Sequence, residues 1–187
     1  RVASSGMTFK FIAPDHGPIW RRDIPGVIAN YSRWAAQKPT MKSVVVYGTM
    51  WHSTERMARA ICEGLAAAGA AAKCMSMEVF HRSDVVYEVL DAGALIVGSS
   101  TLNNNMLPQV ADVLTYLKGL RPGNLLGASV GSYGWSGEAA VHIADILKEM
   151  KVSPVAEPLK AQHVPTREDL RKCYALGEEI ARKPGEQ

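Results

Sequence analysis

The chain has 187 residues, of which 47% are hydrophobic and 21% are charged, and its formal net charge is +3. This length predicts one domain of ordinary size with a short appendage. No apolar stretch is long enough to span a membrane and no signal-peptide pattern opens the chain, as expected for a soluble protein. The first residue is Arg1 rather than Met, so we expect a fragment or a processed product.

The positive charge belongs to the N-terminal segment. Residues 1–40 carry six Lys/Arg and two Asp/Glu, whereas the rest of the chain carries fifteen and sixteen. The larger part therefore lacks the basic surface that nucleic-acid binding requires, and no nucleic-acid partner is expected.

The cysteines are odd in number and form no CxxC motif, namely Cys62, Cys74 and Cys173. This usage predicts reduced core thiols in a cytoplasmic protein.

Residues 1–40 predict one strand and one helix. The strand is expected at Thr8–Ala13, and the helix begins near Asp23 in the segment DIPG. Apolar residues then follow at the spacing of one helical face, at Val27, Ile28, Tyr31, Trp34 and Ala35. These two elements cannot bury a core alone, so they must pack on another domain or another copy.

From residue 43 onward the sequence alternates five times between strand and helix. The predicted strands are Val44–Gly48, Ala71–Met77, Ala94–Ser99, Leu125–Ser132 and Ser153–Ala156. The predicted helices are Thr54–Ala68, Asp84–Asp91, Pro108–Gly119, Gly137–Met150 and Thr166–Ala181. Such alternation predicts an α/β, flavodoxin-like, doubly wound five-stranded parallel sheet of order 2-1-3-4-5, with helices on both faces. Its ligand crevice would lie beyond the carboxyl ends of strands one and three.

The first of three candidate ligand loops follows the apolar run Val44–Tyr47, which is typical of a strand buried on both faces. It comprises Thr49, Met50, Trp51, His52, Ser53 and Thr54. Hydroxyls and backbone amides converge there on a helix start, which favours a phosphate, with Thr54 as the expected cap. GxxxxGK[ST] and GxGxxG are both absent, so the loop points to FMN rather than to a nucleoside triphosphate or a dinucleotide. The alternative is an ordinary strand-to-helix turn, and His52 is expected to face solvent.

The second loop, SSTLNNNMLP, follows strand three. Its candidate residues are Ser100, Thr101, Leu102, Asn103, Asn104 and Asn105. Asparagine tolerates left-handed backbone and supplies donors and acceptors at short reach, as the polar edge of a flavin ring requires. A simple polar turn is the alternative.

The third loop, GSYGWSGEA, follows strand four and places aromatic residues among glycines. Its candidates are Ser132, Tyr133, Gly134, Trp135, Ser136 and Gly137. The aromatic rings are suited to stack on a flat cofactor, although a core role for Tyr133 or Trp135 is also possible.

The remaining histidines carry no clear signal by themselves. His16, in PDHGPIW, has no nearby metal-ligand partners, so a structural histidine is the default interpretation. No role is assigned to His81, His142 or His163.

Four segments together resemble the flavodiiron proteins, namely FIAPDHGPIWR, YGTMWHSTERMA, GSSTLNNNMLP and GSYGWSGEA. The resemblance implies that residues 1–40 are the C-terminal remnant of a metallo-β-lactamase-like domain with its linker, and that 41–187 form a flavodoxin-like FMN-binding domain. It further implies that the three loops hold FMN, and that His16 is an iron ligand whose di-iron partners lie upstream. Three positions depart from the family pattern: His52 replaces a small residue, often Gly; Ser100 replaces Pro; and Asp15 replaces Ser.

The function that the resemblance implies is electron transfer through FMN to a di-iron site that reduces O2 to water or NO to N2O. The implied donor is a rubredoxin-like protein or a flavin reductase, and the implied assembly is a head-to-tail homodimer. The alternative is a stand-alone flavodoxin-family NAD(P)H:quinone reductase, which the segment PDHGPIW disfavours. A response-regulator receiver is rejected, because strands one and three end in Gly48-Thr49 and Ser99-Ser100 rather than in acidic residues.

Overall fold

The structure is a computed structural model that describes residues 6–183, and the chain divides into two units between Lys38 and Pro39. In the first unit, helix α1 spans Ile24–Ala36 and begins as expected, because the Asp23 carboxylate accepts a hydrogen bond from the Gly26 amide at 3.2 Å. The strand predicted at Thr8–Ala13 is wrong. Among the described residues of this unit, an isolated antiparallel bridge joins Ile12 to Trp20, and a single bridge is too short to form a strand.

The expected apolar face of α1 is only partly buried. Val27 is buried, whereas the Tyr31 side chain is exposed and its ring lies edge-to-face against Trp34, with centroids 5.7 Å apart.

The second unit contains strands β1 (Lys42–Gly48), β2 (Ala71–Ser76), β3 (Ala94–Leu102), β4 (Asn105–Met106), β5 (Leu126–Tyr133), β6 (Ser153–Pro154) and β7 (Leu159–Gln162). Its helices are α2 (Ser53–Ala67), α3 (Arg82–Val89), α4 (Pro108–Leu120), α5 (Glu138–Glu149) and α6 (Arg167–Arg182). The parallel strands have the order β2-β1-β3-β5-β6; β7 also pairs with β5, and β4 pairs antiparallel with β3.

The α/β flavodoxin-like class is thus confirmed, while the predicted set of five strands needs correction. The second loop folds back into the short strand β4, and the last strand is split into β6 and β7. The split follows from Pro154 and Pro158, because proline cannot donate a hydrogen bond to a strand ladder. The sequence analysis did not predict β7, because Pro158 directly before it is a residue that usually ends a strand.

Both faces of the sheet are buried, as the run Val44–Tyr47 predicts. Val44 and Val46 belong to the core beneath α3, α4 and α5. Val45 and Tyr47 belong to the core beneath α2 and α6. Strand β1 is therefore buried on both faces, and its carboxyl end leads directly into the first ligand loop.

Helices α2 and α6 cross at two glycines. A Cβ atom at Gly64 would lie 2.0 Å from the Tyr174 carbonyl oxygen, and one at Gly177 would lie 2.2 Å from that of Ile61. The two backbones touch at this crossing, so no side chain fits between them.

The cysteines do not all lie in the core. Cys173 is buried as expected, and its burial raises the pKa of the thiol to about 12. Cys62 is only half-buried and Cys74 is exposed, so the prediction of three core thiols is wrong for Cys74. The reason is its position on β2, which is the outermost strand of the sheet.

Helix α6 begins with the capping box expected from Thr166-Arg-Glu-Asp. The Asp169 amide donates to the Thr166 hydroxyl at 3.2 Å, and the Asp169 carboxylate accepts from the Thr166 hydroxyl at 2.7 Å and amide at 2.9 Å. These two hydrogen bonds hold the pKa of Asp169 below its usual value of 3.8.

Replacing Thr166 by alanine should lower the free energy of unfolding by about 1 kcal/mol at pH 7. The pKa of Asp169 is lower in the folded state than in the unfolded state. The ionised carboxylate therefore stabilises the fold when the pH is above the pKa of the unfolded state, and this stabilisation is lost as the pH falls through the pKa of the folded state. We therefore expect the difference in the free energy of unfolding between the native chain and Thr166→Ala, measured by urea denaturation, to be smaller at pH 3 than at pH 7. Thr115→Ala, at an exposed site inside α4, is the matched control, and an equal loss at both pH values would exclude a role for the carboxylate.

Candidate functional site

A cavity of about 410 Å³ lies at the carboxyl ends of β1, β3, β5 and β7. Its volume falls within the range of roughly 300–1,000 Å³ that is usual for small-molecule sites. The lining residues are Met50, Trp51, Ser53, Ser100, Thr101, Ser132, Tyr133, Gly134, Trp135, His163 and Val164. All three predicted loops contribute to this wall.

Three buried hydroxyls connect the loops: those of Ser100 and Ser132 in the cavity lining and that of Thr54 behind it. The Thr54 Oγ1 atom lies 2.8 Å from Ser132 Oγ and 3.2 Å from Ser100 Oγ, and the two serine oxygens are 3.2 Å apart. The Ser100 hydroxyl also accepts a hydrogen bond from the Met50 amide at 3.3 Å. Each hydroxyl comes from a different part of the chain, so the cluster fixes the three loops relative to one another.

The start of α2 is suited to bind an anion. His52 stands at the N-cap position, and no side chain caps the helix there, so Thr54 is not the cap that its position predicted. The hydroxyl of Thr49 is buried and has no hydrogen-bond partner among the described residues. A phosphate group can accept hydrogen bonds from the uncapped amides and from the unpaired hydroxyl. Its negative charge is also favoured by the helix dipole.

His52 itself faces solvent, as expected. Its side chain is 78% exposed, and its Nδ1 atom lies 2.8 Å from the Glu55 carboxylate, which also binds Arg59 at 2.7 Å. The contact with His52, followed by that with Arg59, lowers the pKa of Glu55. The His52 backbone is left-handed, with φ of 62°, which is a conformation that glycine adopts most readily.

Aromatic side chains flank the cavity. Trp51 is 83% exposed and Trp135 is 96% exposed, which excludes a core role for Trp135. Tyr133 is partly buried, and its ring packs so closely on the backbone that a Cβ atom at Gly137 would lie 2.8 Å from it. The site therefore offers flat apolar surfaces beside a cluster of hydroxyls.

Several predicted residues lie outside the cavity wall. Strand β3 continues to Leu102, and Asn103 and Asn104 then form a turn with φ of 50° and 58° that leads into β4. The left-handed backbone was expected, but the turn carries these residues away from the lining. Asn105 lies in β4, with its side-chain oxygen 3.2 Å from His142 Nδ1.

The end of the third loop is also outside the lining. The Ser136 hydroxyl donates to the Glu138 carboxylate at 2.6 Å, which lowers the pKa of Glu138, and Gly137 is the N-cap residue of α5. A direct role in ligand binding stays a prediction for these two residues, as it does for Leu102 and the asparagines.

His163 and Val164 line the cavity although the sequence analysis assigned them nothing. They follow β7, and the His163 amide donates to the Tyr133 carbonyl at 2.7 Å, while the Gln162 side chain donates to the Gly134 carbonyl at 3.1 Å. These bonds hold the aromatic loop in place. The alternation of apolar and polar residues in Leu-Lys-Ala-Gln could have indicated this strand and hence the loop beyond it.

A metal site requires a grouping of ligand side chains, and a membrane span requires a helix that is long and apolar enough. Residues 6–183 contain no group of three or more His, Cys, Asp or Glu arranged around a common metal position. His16 is exposed and lies in the first unit, so its role as an iron ligand stays a prediction. None of the helices between residues 6 and 183 combines the length and apolarity that crossing a bilayer demands.

Residues 45–177 match the flavodoxin family, so the chain belongs to that family. It is 46% identical over 181 residues to the nitric oxide reductase of Moorella thermoacetica, covering 96% of this chain and 45% of that protein. It is 43% identical over 183 residues to the rubredoxin-oxygen oxidoreductase of Megalodesulfovibrio gigas, covering 97% and 46%.

Two solved structures agree with these similarities. The rubredoxin oxygen:oxidoreductase of Desulfovibrio gigas superposes with a TM-score of 0.91 at 41% identity, over 98% of this chain and 46% of that one. The flavodiiron protein of Giardia intestinalis gives a TM-score of 0.88 at 31% identity, over 98% and 46%. The resemblance to flavodiiron proteins is thus confirmed, and the chain spans about half the length of these relatives.

The site residues fit FMN, the cofactor that a flavodoxin domain implies. The uncapped start of α2 and the unsatisfied Thr49 hydroxyl suit the phosphate, and the exposed aromatic side chains suit the ring. The donors are neutral hydroxyls and amides without a lysine, as expected for FMN rather than for a nucleoside triphosphate. Family membership and site chemistry therefore both support the predicted cofactor.

Proposed function

We propose that this chain is the FMN-binding electron-transfer part of a flavodiiron-type oxidoreductase. The observation that carries the proposal is a cavity lined by Ser53 of the uncapped start of α2 and by exposed aromatic rings. The buried, unpaired hydroxyl of Thr49 belongs to the same loop but lies outside the lining. Bound FMN supplies one- and two-electron transfer at this position. The chain's own residues bind the cofactor, orient it and partly shield it from water.

The residues divide by chemistry into two groups. Thr49, Ser53 and the amides at the start of α2 would hold the phosphate. Ser100, Thr101 and the loop from Ser132 to Trp135 would hold the isoalloxazine ring. The hydroxyl of Thr54 would act from behind the wall, because it joins the loops rather than lining the cavity.

The rest of the activity would require the portion of the relatives that this chain does not cover. Residues 1–40 would be the tail of a metallo-β-lactamase-like domain that holds two irons, with His16 as an iron ligand, and residues 41–187 would be the flavodoxin-like domain. The division of the chain at residue 38 supports this boundary.

The names of the relatives support reduction of NO or O2, with a rubredoxin as donor. A cytoplasmic location and a head-to-tail homodimer complete the proposal.

The proposal is tested by titrating the protein, freed of flavin, with FMN and then adding reduced rubredoxin without oxygen. We expect stoichiometric binding of FMN and bleaching of its visible absorption by the rubredoxin. Turnover of quinones with NAD(P)H would favour the quinone-reductase alternative, and failure to take up FMN would overturn both.

Replacing Trp135 by alanine should weaken FMN binding by roughly threefold to tenfold. Stacking of one aromatic ring contributes about 0.5–1.5 kcal/mol, and this side chain is almost fully exposed at the cavity, so its removal should leave the fold intact. Quenching of FMN fluorescence on binding measures the affinity. Trp20→Ala, at an exposed tryptophan outside the cavity lining, is the matched control, and equal affinities in the two variants would contradict stacking.

A further inference from the structure

Two cysteines meet at the open edge of the sheet, outside the FMN cavity. Cys74 lies on the outermost strand β2, in register with Val45 of β1. In-register neighbours on parallel strands point to the same face, and Val45 faces the side that α2 and α6 cover. Cys62 packs against that same side from α2, so the two side chains approach each other across the gap between helix and strand.

The two thiols are not equivalent. The interaction between the two thiols lowers the pKa of Cys74 and raises that of Cys62, so Cys74 is the thiol of the pair that ionises more readily. The nearby Arg59 guanidinium also lowers the pKa of Cys74, whereas burial and Glu55 oppose it. Since the thiolate is the reactive form, Cys74 is the nucleophile of the pair.

The three cysteines also differ in their exposure to solvent. Cys74 is exposed, Cys62 is half-buried beside it, and Cys173 is fully buried on α6. An oxidant in solution can therefore reach Cys74 directly, while Cys62 is within reach of Cys74. Cys173, with its pKa raised to about 12, provides an inert thiol in the same molecule.

We propose that Cys74 is an oxidation site for hydroperoxides, with Cys62 as its resolving thiol. The Cys74 sulfur attacks a peroxide oxygen; an S–O bond forms and the O–O bond breaks. The leaving oxygen departs as hydroxide from hydrogen peroxide, or as an alkoxide from an organic hydroperoxide, and takes a proton from solvent. Sulfur loses two electrons and the peroxide gains them. The Cys62 sulfur then attacks Cys74, an S–S bond forms, and the S–O bond breaks. The released hydroxide takes the Cys62 proton as water, and an external thiol reverses the modification.

Trypsin provides a direct test, because cleavage after Lys73 separates the two cysteines into peptides 60–73 and 74–82, while Cys173 lies in 173–182. The reduced full chain is treated with hydrogen peroxide, blocked with an alkylating reagent and digested without reductant. We expect a linked pair of 60–73 and 74–82 that dithiothreitol separates, with Cys173 still alkylated. In Cys62→Ser, dimedone should label Cys74. In Cys74→Ser, Cys62 should stay reduced at the same peroxide dose.

Three results would overturn the proposal: both thiols remain alkylatable after peroxide, Cys74→Ser oxidises at Cys62 as fast as the native chain, or Cys74 oxidises without forming the linked peptide. Cys62→Ala replaces Cys62→Ser if thermal unfolding shows the serine variant to be destabilised. All readouts are masses of peptides from protein that need not hold flavin. Failure here therefore leaves the proposed function untouched.

Discussion

Replacing Thr54 by valine should weaken FMN binding by roughly 10- to 100-fold. The side chain is completely buried, and its hydroxyl lies 2.8 Å from that of Ser132 and 3.2 Å from that of Ser100. Valine has nearly the same shape but can form neither bond. Ser100 and Ser132 would keep each other as partners but lose both bonds to residue 54. Each hydrogen bond contributes about 0.5–1.5 kcal/mol, so the loss of two costs about 1–3 kcal/mol, and each 1.4 kcal/mol is a tenfold change in affinity.

The effect should fall on binding because the hydroxyl cluster positions the first loop. Ser100 also accepts a hydrogen bond from the Met50 amide, so loosening the cluster loosens the loop that would hold the phosphate. Fluorescence titration of the flavin-free protein measures the change. Thr115→Val is the matched control, since this exposed threonine lies on α4 and its hydroxyl donates only to the Ala111 carbonyl. Equal affinities in the two variants would show that the cluster has no part in the site.

Replacing Gly177 by alanine should lower the free energy of unfolding by about 3 kcal/mol or more. The new methyl group would lie 2.2 Å from the Ile61 carbonyl oxygen and 2.8 Å from the Leu65 amide nitrogen. These are backbone atoms of α2, so relief requires α2 and α6 to separate rather than one side chain to rotate. Overpacking of a tight core typically costs 1–3 kcal/mol, and a clash with backbone lies at or beyond the upper end.

At Gly119, the same replacement by alanine is expected to raise the free energy of unfolding. This residue lies near the end of α4, and a Cβ atom there would meet nothing within 4 Å. Gly119→Ala should therefore stabilise the protein by up to about 1 kcal/mol, because alanine loses less backbone entropy on folding. Urea denaturation of both variants measures the difference. A Gly177→Ala variant within 1 kcal/mol of the native chain would mean that the two helices can shift apart at low cost.

The local features of the candidate site could be predicted from the sequence because they depend on adjacent residues. The apolar run Val44–Tyr47 indicates a strand buried on both sides, and the hydroxyl-rich loop after it indicates an anion site. The asparagines predicted left-handed backbone, which Asn103 and Asn104 adopt. The direction in which that turn carries its side chains depends on the pairing of β3 with β4, which local sequence does not reveal.

The hydroxyl cluster illustrates the limit of local inference. Thr54 lies 46 residues from Ser100 and 78 from Ser132 in the chain, and each alone resembles an ordinary turn or cap residue. Only the pairing of β1, β3 and β5 brings them within hydrogen-bonding distance. The same holds for His163, whose loop reaches the cavity through the pairing of β7 with β5.

The sequence by itself determined the class of fold, the order of its main elements and the loops in which a flavin site would form, because hydrophobic periodicity and turn chemistry act over a few residues. The tertiary structure alone decided which side chains of those loops face the cavity, which hydroxyls connect the loops, and which two of the three cysteines meet. Those outcomes depend on strand register and helix packing between residues far apart in the chain, where no local preference specifies the partner.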